Sequence, residues 1–198
     1  MEVSFRLEIL EESPEIYQET AYFIEAADWI TTILTGELKR NSCAAGFKGT
    51  WNDKEGFVSK SFLKALHPEL EDIYDDKLSG EIVSIGKRAG YLTEEFAKRI
   101  GLVPGTPIAM GMIDAHSGVP GAGVTAPNSM VLVMGTSTCH MLLSEKEKFI
   151  DGISGVVKDG IIPNYFAYEA GQAAVGDIFA WFVRECVPAY VQENARKQ

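Results

Sequence analysis

Met130–Met141, MVLVMGTSTCHM, consists of two short apolar runs divided by Gly-Thr-Ser-Thr. Strand-forming residues on both sides of a small polar turn predict an antiparallel hairpin. Glycine lets a backbone come close to a ligand, and consecutive N–H groups beside hydroxyls can hold a phosphate. Gly and Thr are also ordinary residues of hairpin turns, so Gly135 and Thr136 carry both readings at this point.

Upstream of the hairpin, the apolar run Pro107–Ile113 (PIAMGMI) has the pattern of a buried strand. Asp114 follows it and opens a small-residue stretch, AHSGVPGAGV, predicted to be a tightly packed helix despite Pro120. A carboxylate at a helix amino terminus is stabilised by free N–H groups and the helix dipole. Asp114 would stay ionised and could accept a hydroxyl proton; from spacing alone, an ordinary helix cap is the plainer reading. Thr125–Ser129 (TAPNS) is polar turn chemistry and marks the predicted domain boundary, with residues 1–125 before it and 126–198 after it. Downstream, Gly155–Val157 and Ile161–Pro163 read as a strand pair turned at Lys158-Asp159-Gly160. Glu169, in YEAGQAA, falls at an expected strand-to-helix junction. It could accept hydrogen bonds from ligand hydroxyls or lie exposed on a loop. Val175, Ile178, Phe182 and Cys186 then share one helical face.

Toward the amino terminus, Phe23, Ala26, Ala27, Ile30 and Leu34 recur at helical spacing, and Gly36 stands where such a helix would end. Asn41–Gly56 is rich in Gly, Asn and Asp and is expected to be a loop or short hairpin. It contains Lys48 in AGFKGTW, a side chain able to donate to ligand hydroxyls or to be simply solvated, with Trp51 three residues on. A helix is predicted over Lys60–Leu66, stopped by His67-Pro68, and a strand over Leu78–Gly86. Leu92–Leu102 should be an amphipathic helix capped by Thr93 and closed by Gly101.

The chain has 198 residues, 46% hydrophobic and 23% charged, which is enough for a sizeable core. Its net charge of −10 disfavours nucleic acid and anionic membranes as partners. No apolar stretch approaches the ~20 residues that span a bilayer, and the acidic start MEVSFRLEILEE lacks the layout of a secretion signal. Cys43, Cys139 and Cys186 are odd in number and without CxxC spacing, which points to reduced thiols in the cytoplasm. Asp114 and His116 have no third partner at metal-ligand spacing. GVPGAGV lacks the strand-to-helix context of a dinucleotide fingerprint, and neither GxxxxGK[ST] nor GxSxG occurs.

Taken in order, EAADWITTILTGELKRNSCAAGFKGTW, GMIDAHSGVPGAGV, VMGTSTCHM and YEAGQAAVGDIFAWF resemble the FGGY family of carbohydrate kinases, from about Leu7 to the carboxyl end. The resemblance implies an α/β architecture of two actin-like, RNase H-type domains around a cleft, with both domains incomplete in this chain. It implies that Asp114 is the catalytic base, that Lys48 and Glu169 contact the sugar, and that Gly135 and Thr136 belong to the phosphate-facing hairpin. ATP with Mg2+ and a ketopentose, ribulose foremost, are the implied substrates and cofactor; a homo-oligomer is left open. Family members also carry a DxGT-type hairpin near the amino terminus and an adenosine element after the YEAGQ region. Neither is found in these 198 residues, so the chain resembles the middle of such a kinase and is expected to be inactive and aggregation-prone alone. Two competing readings are a non-catalytic sugar-binding or regulatory protein derived from such a kinase, and another actin-fold ATPase.

Overall fold

The computed structural model describes residues 2–197. The amino-terminal part is mainly helical. Helices α1 (Glu2–Glu12), α2 (Pro14–Glu19) and α3 (Ala26–Thr35) are followed by strand β1 (Lys39–Asn41) and helices α4 (Ser42–Phe47) and α5 (Lys60–Leu66). A single 3-10 turn at Pro68–Leu70 leads into α6 (Ile73–Asp76), then β2 (Glu81–Val83), β3 (Arg88–Tyr91), α7 (Glu94–Ile100), β4 (Pro107–Ala109) and α8 (Asp114–Gly121). The remainder holds β5 (Met130–Met134), β6 (Thr138–Ser144), β7 (Gly155–Lys158), β8 (Phe166–Gln172), α9 (Val175–Cys186) and α10 (Ala189–Arg196). Strands β1 and β2 pair in parallel, β3 and β4 pair antiparallel, and β5-β6-β8-β7 form an antiparallel four-stranded sheet.

Local chemistry accounts for several ends. α3 stops at Gly36, whose φ of 74° is a left-handed conformation that costs glycine little, and its N–H returns to Thr32 O at 2.7 Å. The Ser59 and Thr93 hydroxyls accept from the N–H groups of Phe62 and Phe96, capping α5 and α7. α7 also has Glu94 and Glu95 in its first turn and Lys98 and Arg99 in its last, matching the helix dipole. Pro120 stands inside α8, and the helix ends one residue later, at Gly121.

Four expectations need correction. The stretch expected as a loop or hairpin contains α4, started by the Asn41 side chain, which accepts from Ala44 N at 2.7 Å, and held by the burial of Ser42 through Ala45. The strand expected over Pro107–Ile113 ends at Ala109. Gly111 beyond it lies against Ala27, where an added Cβ would come within 3.2 Å of the alanine methyl, so the chain leaves the ladder to pack on α3. Only Glu81–Val83 of Leu78–Gly86 is extended. Finally, β7 does not pair with Ile161–Pro163. Asp159 and Asn164 take left-handed conformations, Asn164 N donates to Asp159 Oδ1 at 2.6 Å, and β7 pairs with β8.

Two cores result. Leu10, Tyr17, Leu63, Leu70, Ile73 and Leu78 join α1, α2, α5 and α6. Val119, Met141, Leu143, Ile161 and Ala167 form the second, with Phe47 and Met112 packed against it. The second core lies on one face of the four-stranded sheet, where alternation places Val133, Cys139, Met141, Ala167, Glu169 and Val157. Helices α4 and α8 cover that face. Gly46 approaches Val157 so closely that a Cβ would come within 2.4 Å of it. The opposite side of β5 exposes Met130, Leu132 and Met134. α9 leaves Phe179, Trp181 and Phe182 exposed and buries none of its residues, so the expected apolar face of this helix is present but uncovered.

Candidate functional site

A buried polar network sets the position of α4, and through it Lys48. Asp28, on α3, accepts from both the backbone N–H (2.9 Å) and the side-chain amide (2.6 Å) of Asn41. Neighbouring Arg40 donates to Ser79 O at 2.8 Å and Phe23 O at 2.9 Å. The Ser42 hydroxyl donates to Asp159 O at 2.8 Å and accepts from Ile85 N at 3.3 Å, tying α4 to the β7–β8 loop. With α4 held in this way, Lys48 at its carboxyl end reaches Glu25, Nζ to Oε2 at 2.6 Å. Glu25, which precedes α3, carries no signal in the sequence beyond its place at a helix start.

The second element is α8. Asp114 is its first residue, exposed, and its side chain makes no capping bond, so the helix-cap explanation does not describe it. Ser117 Oγ donates to Asp114 O at 2.5 Å and tightens the first turn. His116 points the other way, into the protein, only 2% exposed and stacked on Phe47 with ring centroids 4.6 Å apart.

Glu169 is not at a strand-to-helix junction. It lies within β8, which runs three residues further, and the junction falls at Ala174, a left-handed residue just before α9. Nor is it exposed on a loop. Its Oε2 lies 3.3 Å from His116 Nε2, within ion-pair distance but off hydrogen-bond alignment, so the contact is best described as an ion pair when the imidazole is protonated. The His116 imidazole, against the opposing effect of burial and with help from Cys139 and Lys48, holds the Glu169 carboxyl below its usual range. Burial first, then the nearby charges of Glu169 and Asp114, push the Cys139 thiol up. Burial likewise pushes Cys43, behind Lys48, up to about 12, so neither thiol is a ready nucleophile.

The hairpin is found as read from sequence. Met134 pairs with Thr138, and Gly135–Ser137 form an exposed tip with Gly135 N donating to Ser137 O at 2.7 Å. The first turn of α9 grips this tip: Gly176 N donates to Gly135 O (3.1 Å) and Thr136 O (3.0 Å). A Cβ on Gly176 would lie 2.5 Å from Gly135 O, so glycine is required for the approach. The segments carrying Lys48, Asp114 and Glu169 therefore meet at His116, and Cys139, on the same sheet face as Glu169, is two residues beyond the tip. Trp51 is not part of this group; it lines a separate groove of roughly 340 Å³ with Lys54, Glu147 and Ser154. Among the described residues no cluster of three or more His, Cys, Asp or Glu could hold a metal ion.

Residues 130–198 match the FGGY family of carbohydrate kinases, C-terminal domain. Across 191 residues, 96% of this chain, the sequence is 56% identical to a ribulokinase of Anoxybacillus flavithermus and 55% identical to one of Geobacillus thermodenitrificans. The chain belongs to the FGGY family of carbohydrate kinases. It spans 34% of the length of those two relatives. The fold agrees with that of an FGGY kinase as well: the xylulose kinase of Rhodospirillum rubrum superposes with a TM-score of 0.74 at 20% identity, covering 96% of this chain and 37% of that one. The α/β architecture is thus that of the FGGY sugar kinases, represented here by about a third of one.

Proposed function

We propose that these residues form the central part of an ATP-dependent ketopentose kinase, converting ribulose to ribulose 5-phosphate in arabinose catabolism in the cytoplasm. The observation that carries this reading is that His116 joins the three segments holding Lys48, Asp114 and Glu169: it follows Asp114 by two positions on α8, stacks on Phe47 next to Lys48, and lies 3.3 Å from Glu169. The ribulokinase names of the relatives supply the sugar. Residues 1–125 would be the later part of a first domain and 126–198 the opening of a second.

Asp114, exposed and free of a capping bond, accepts the proton of the sugar's terminal hydroxyl as that oxygen attacks the γ-phosphorus of ATP. The new O–P bond forms while the bond from the γ-phosphorus to the β,γ-bridging oxygen breaks, and ADP leaves. Lys48 donates to sugar hydroxyls and Glu169 accepts from them, fixing the attacking oxygen in line. Gly135 and Thr136 face the phosphates. Mg2+, when bound with the nucleotide, would neutralise phosphate charge, and no step is assigned to it.

A chimera of the Anoxybacillus ribulokinase in which these residues replace the aligned segment tests the proposal. It should phosphorylate a ketopentose, ribulose before xylulose, and Asp114→Asn should cut kcat by about 10²–10⁴-fold, the usual weight of a positioned base. The 198 residues alone should release no ADP. Undiminished turnover by the Asp114→Asn chimera would sink the assignment.

A further inference from the structure

The sugar-binding reading of Glu169 leaves one buried group without a task. His116 is sealed from solvent and fixed in orientation by the Phe47 ring, and its Nδ1 meets no hydrogen-bond partner. A histidine kept only to fill space could be replaced by an apolar ring at lower desolvation cost. Its Nε2 instead lies 3.3 Å from the Glu169 carboxylate. It also stands two residues after Asp114 on the same short helix, so one rigid element carries both groups.

Resting on the kinase reading, we infer that His116 is a positioning residue: it holds the Glu169 carboxylate toward the sugar, so that α8 sets both the base and the sugar-binding carboxylate. The chain of contact is continuous. Phe47, the last residue of α4, fixes the imidazole, and the imidazole holds the carboxylate on β8. Asp114 leads the same helix. The other groups facing Glu169 are Cys139 from β6 and Lys48 from the end of α4. Lys48 is itself held by Glu25, so His116 is the buried partner of Glu169. A sugar hydroxyl arriving at Glu169 meets a carboxylate already oriented, and the ordering of that side chain does not have to be met on binding.

Two readouts test this, one of them independent of kinase activity. In the 198-residue chain, the Glu169 carboxyl carbon followed by NMR should titrate below its ordinary value of 4.5. In His116→Gln, which removes the imidazole at similar size, the midpoint should move up. An unmoved midpoint would overturn the inference, because a histidine that merely packs leaves that titration alone. In the chimera, His116→Gln and Glu169→Gln should each raise the sugar KM about tenfold, the weight of one lost charge-assisted bond, with kcat changed far less. The double variant should be no worse than either single one. Additive effects, or a fall confined to kcat, would also overturn it. Should the unsubstituted chimera phosphorylate no sugar, the kinase proposal falls, and the His116–Glu169 pairing is judged on the titration alone.

Discussion

Asp28 and Glu169 are both withdrawn from solvent, yet their surroundings drive them in opposite directions. Asp28 lies at the α3–β1 contact, where burial pushes its carboxyl above the ordinary value despite two bonds from Asn41 and the charge of Arg40. Glu169 lies on the covered face of the sheet, where His116 draws its carboxyl down more strongly than burial raises it. Asp28 Oδ1 accepts both the backbone and the amide N–H of Asn41, and through them holds the start of α4. Glu169 meets one imidazole and keeps about a fifth of its side chain exposed. The first carboxylate is an anchor and the second is available to a ligand. In the kinase proposed above, this contrast, more than residue type, would separate a structural acid from a functional one.

The largest effect should come from breaking the anchor. Asp28→Ala leaves two Asn41 donors without an acceptor in a buried site and should cost about 2–3 kcal/mol. Glu169→Ala should cost about 1 kcal/mol or less. Urea midpoints at constant m-value would measure both, and a larger loss at Glu169 would invert the contrast.

Smaller, but more diagnostic, is the pH dependence. The folded chain holds a proton on Asp28 more firmly than the unfolded chain does. The stability from this group is therefore full below its ordinary 3.8 and lost as pH rises through the higher folded value. For Glu169 the sign reverses: its contribution is full above 4.5 and lost as pH falls through the lower folded value. Across unfolding curves from about pH 3 to about pH 6, Asp28→Asn should remove the decline toward higher pH and Glu169→Gln the decline toward acid. If both substitutions altered the same limb, the opposed surroundings would be disproved.

The smallest effect belongs to Lys48. Its ion pair with Glu25 is partly exposed on both sides, so Lys48→Met should change stability by about 0.5 kcal/mol or less. In the chimera the same substitution should raise the sugar KM well beyond that amount. A stability loss matching the loss in binding would mark Lys48 as another anchor.

How much of this was legible in the sequence depended on the range of the forces involved. Capping, turn and proline signals act within a few residues, and they placed α5, α7 and the β5–β6 hairpin close to where they stand. α4 escaped because its support is non-local: Asp28 holds Asn41, and Ser42 bonds to a loop 117 residues away. The partner of β7 was missed because left-handed Asp159 and Asn164, not the apolar run between them, decide where the chain turns back. At the site, family resemblance pointed to Lys48, Asp114 and Glu169, whereas His116 entered only as a metal-ligand candidate without a third partner. Its partner lies 53 positions along the chain, and no spacing rule joins them.

The outward side of β5 affects how the chain behaves in solution. β5 is an edge strand showing Met130, Leu132 and Met134 to water, while the chain as a whole carries a charge of −10. Colloidal repulsion and apolar attraction are therefore set against each other. Dilute buffer leaves the repulsion long-ranged, whereas sulfate or phosphate both screens it and strengthens apolar association. Purified material should accordingly keep best at low ionic strength, and light scattering should rise as sulfate is added.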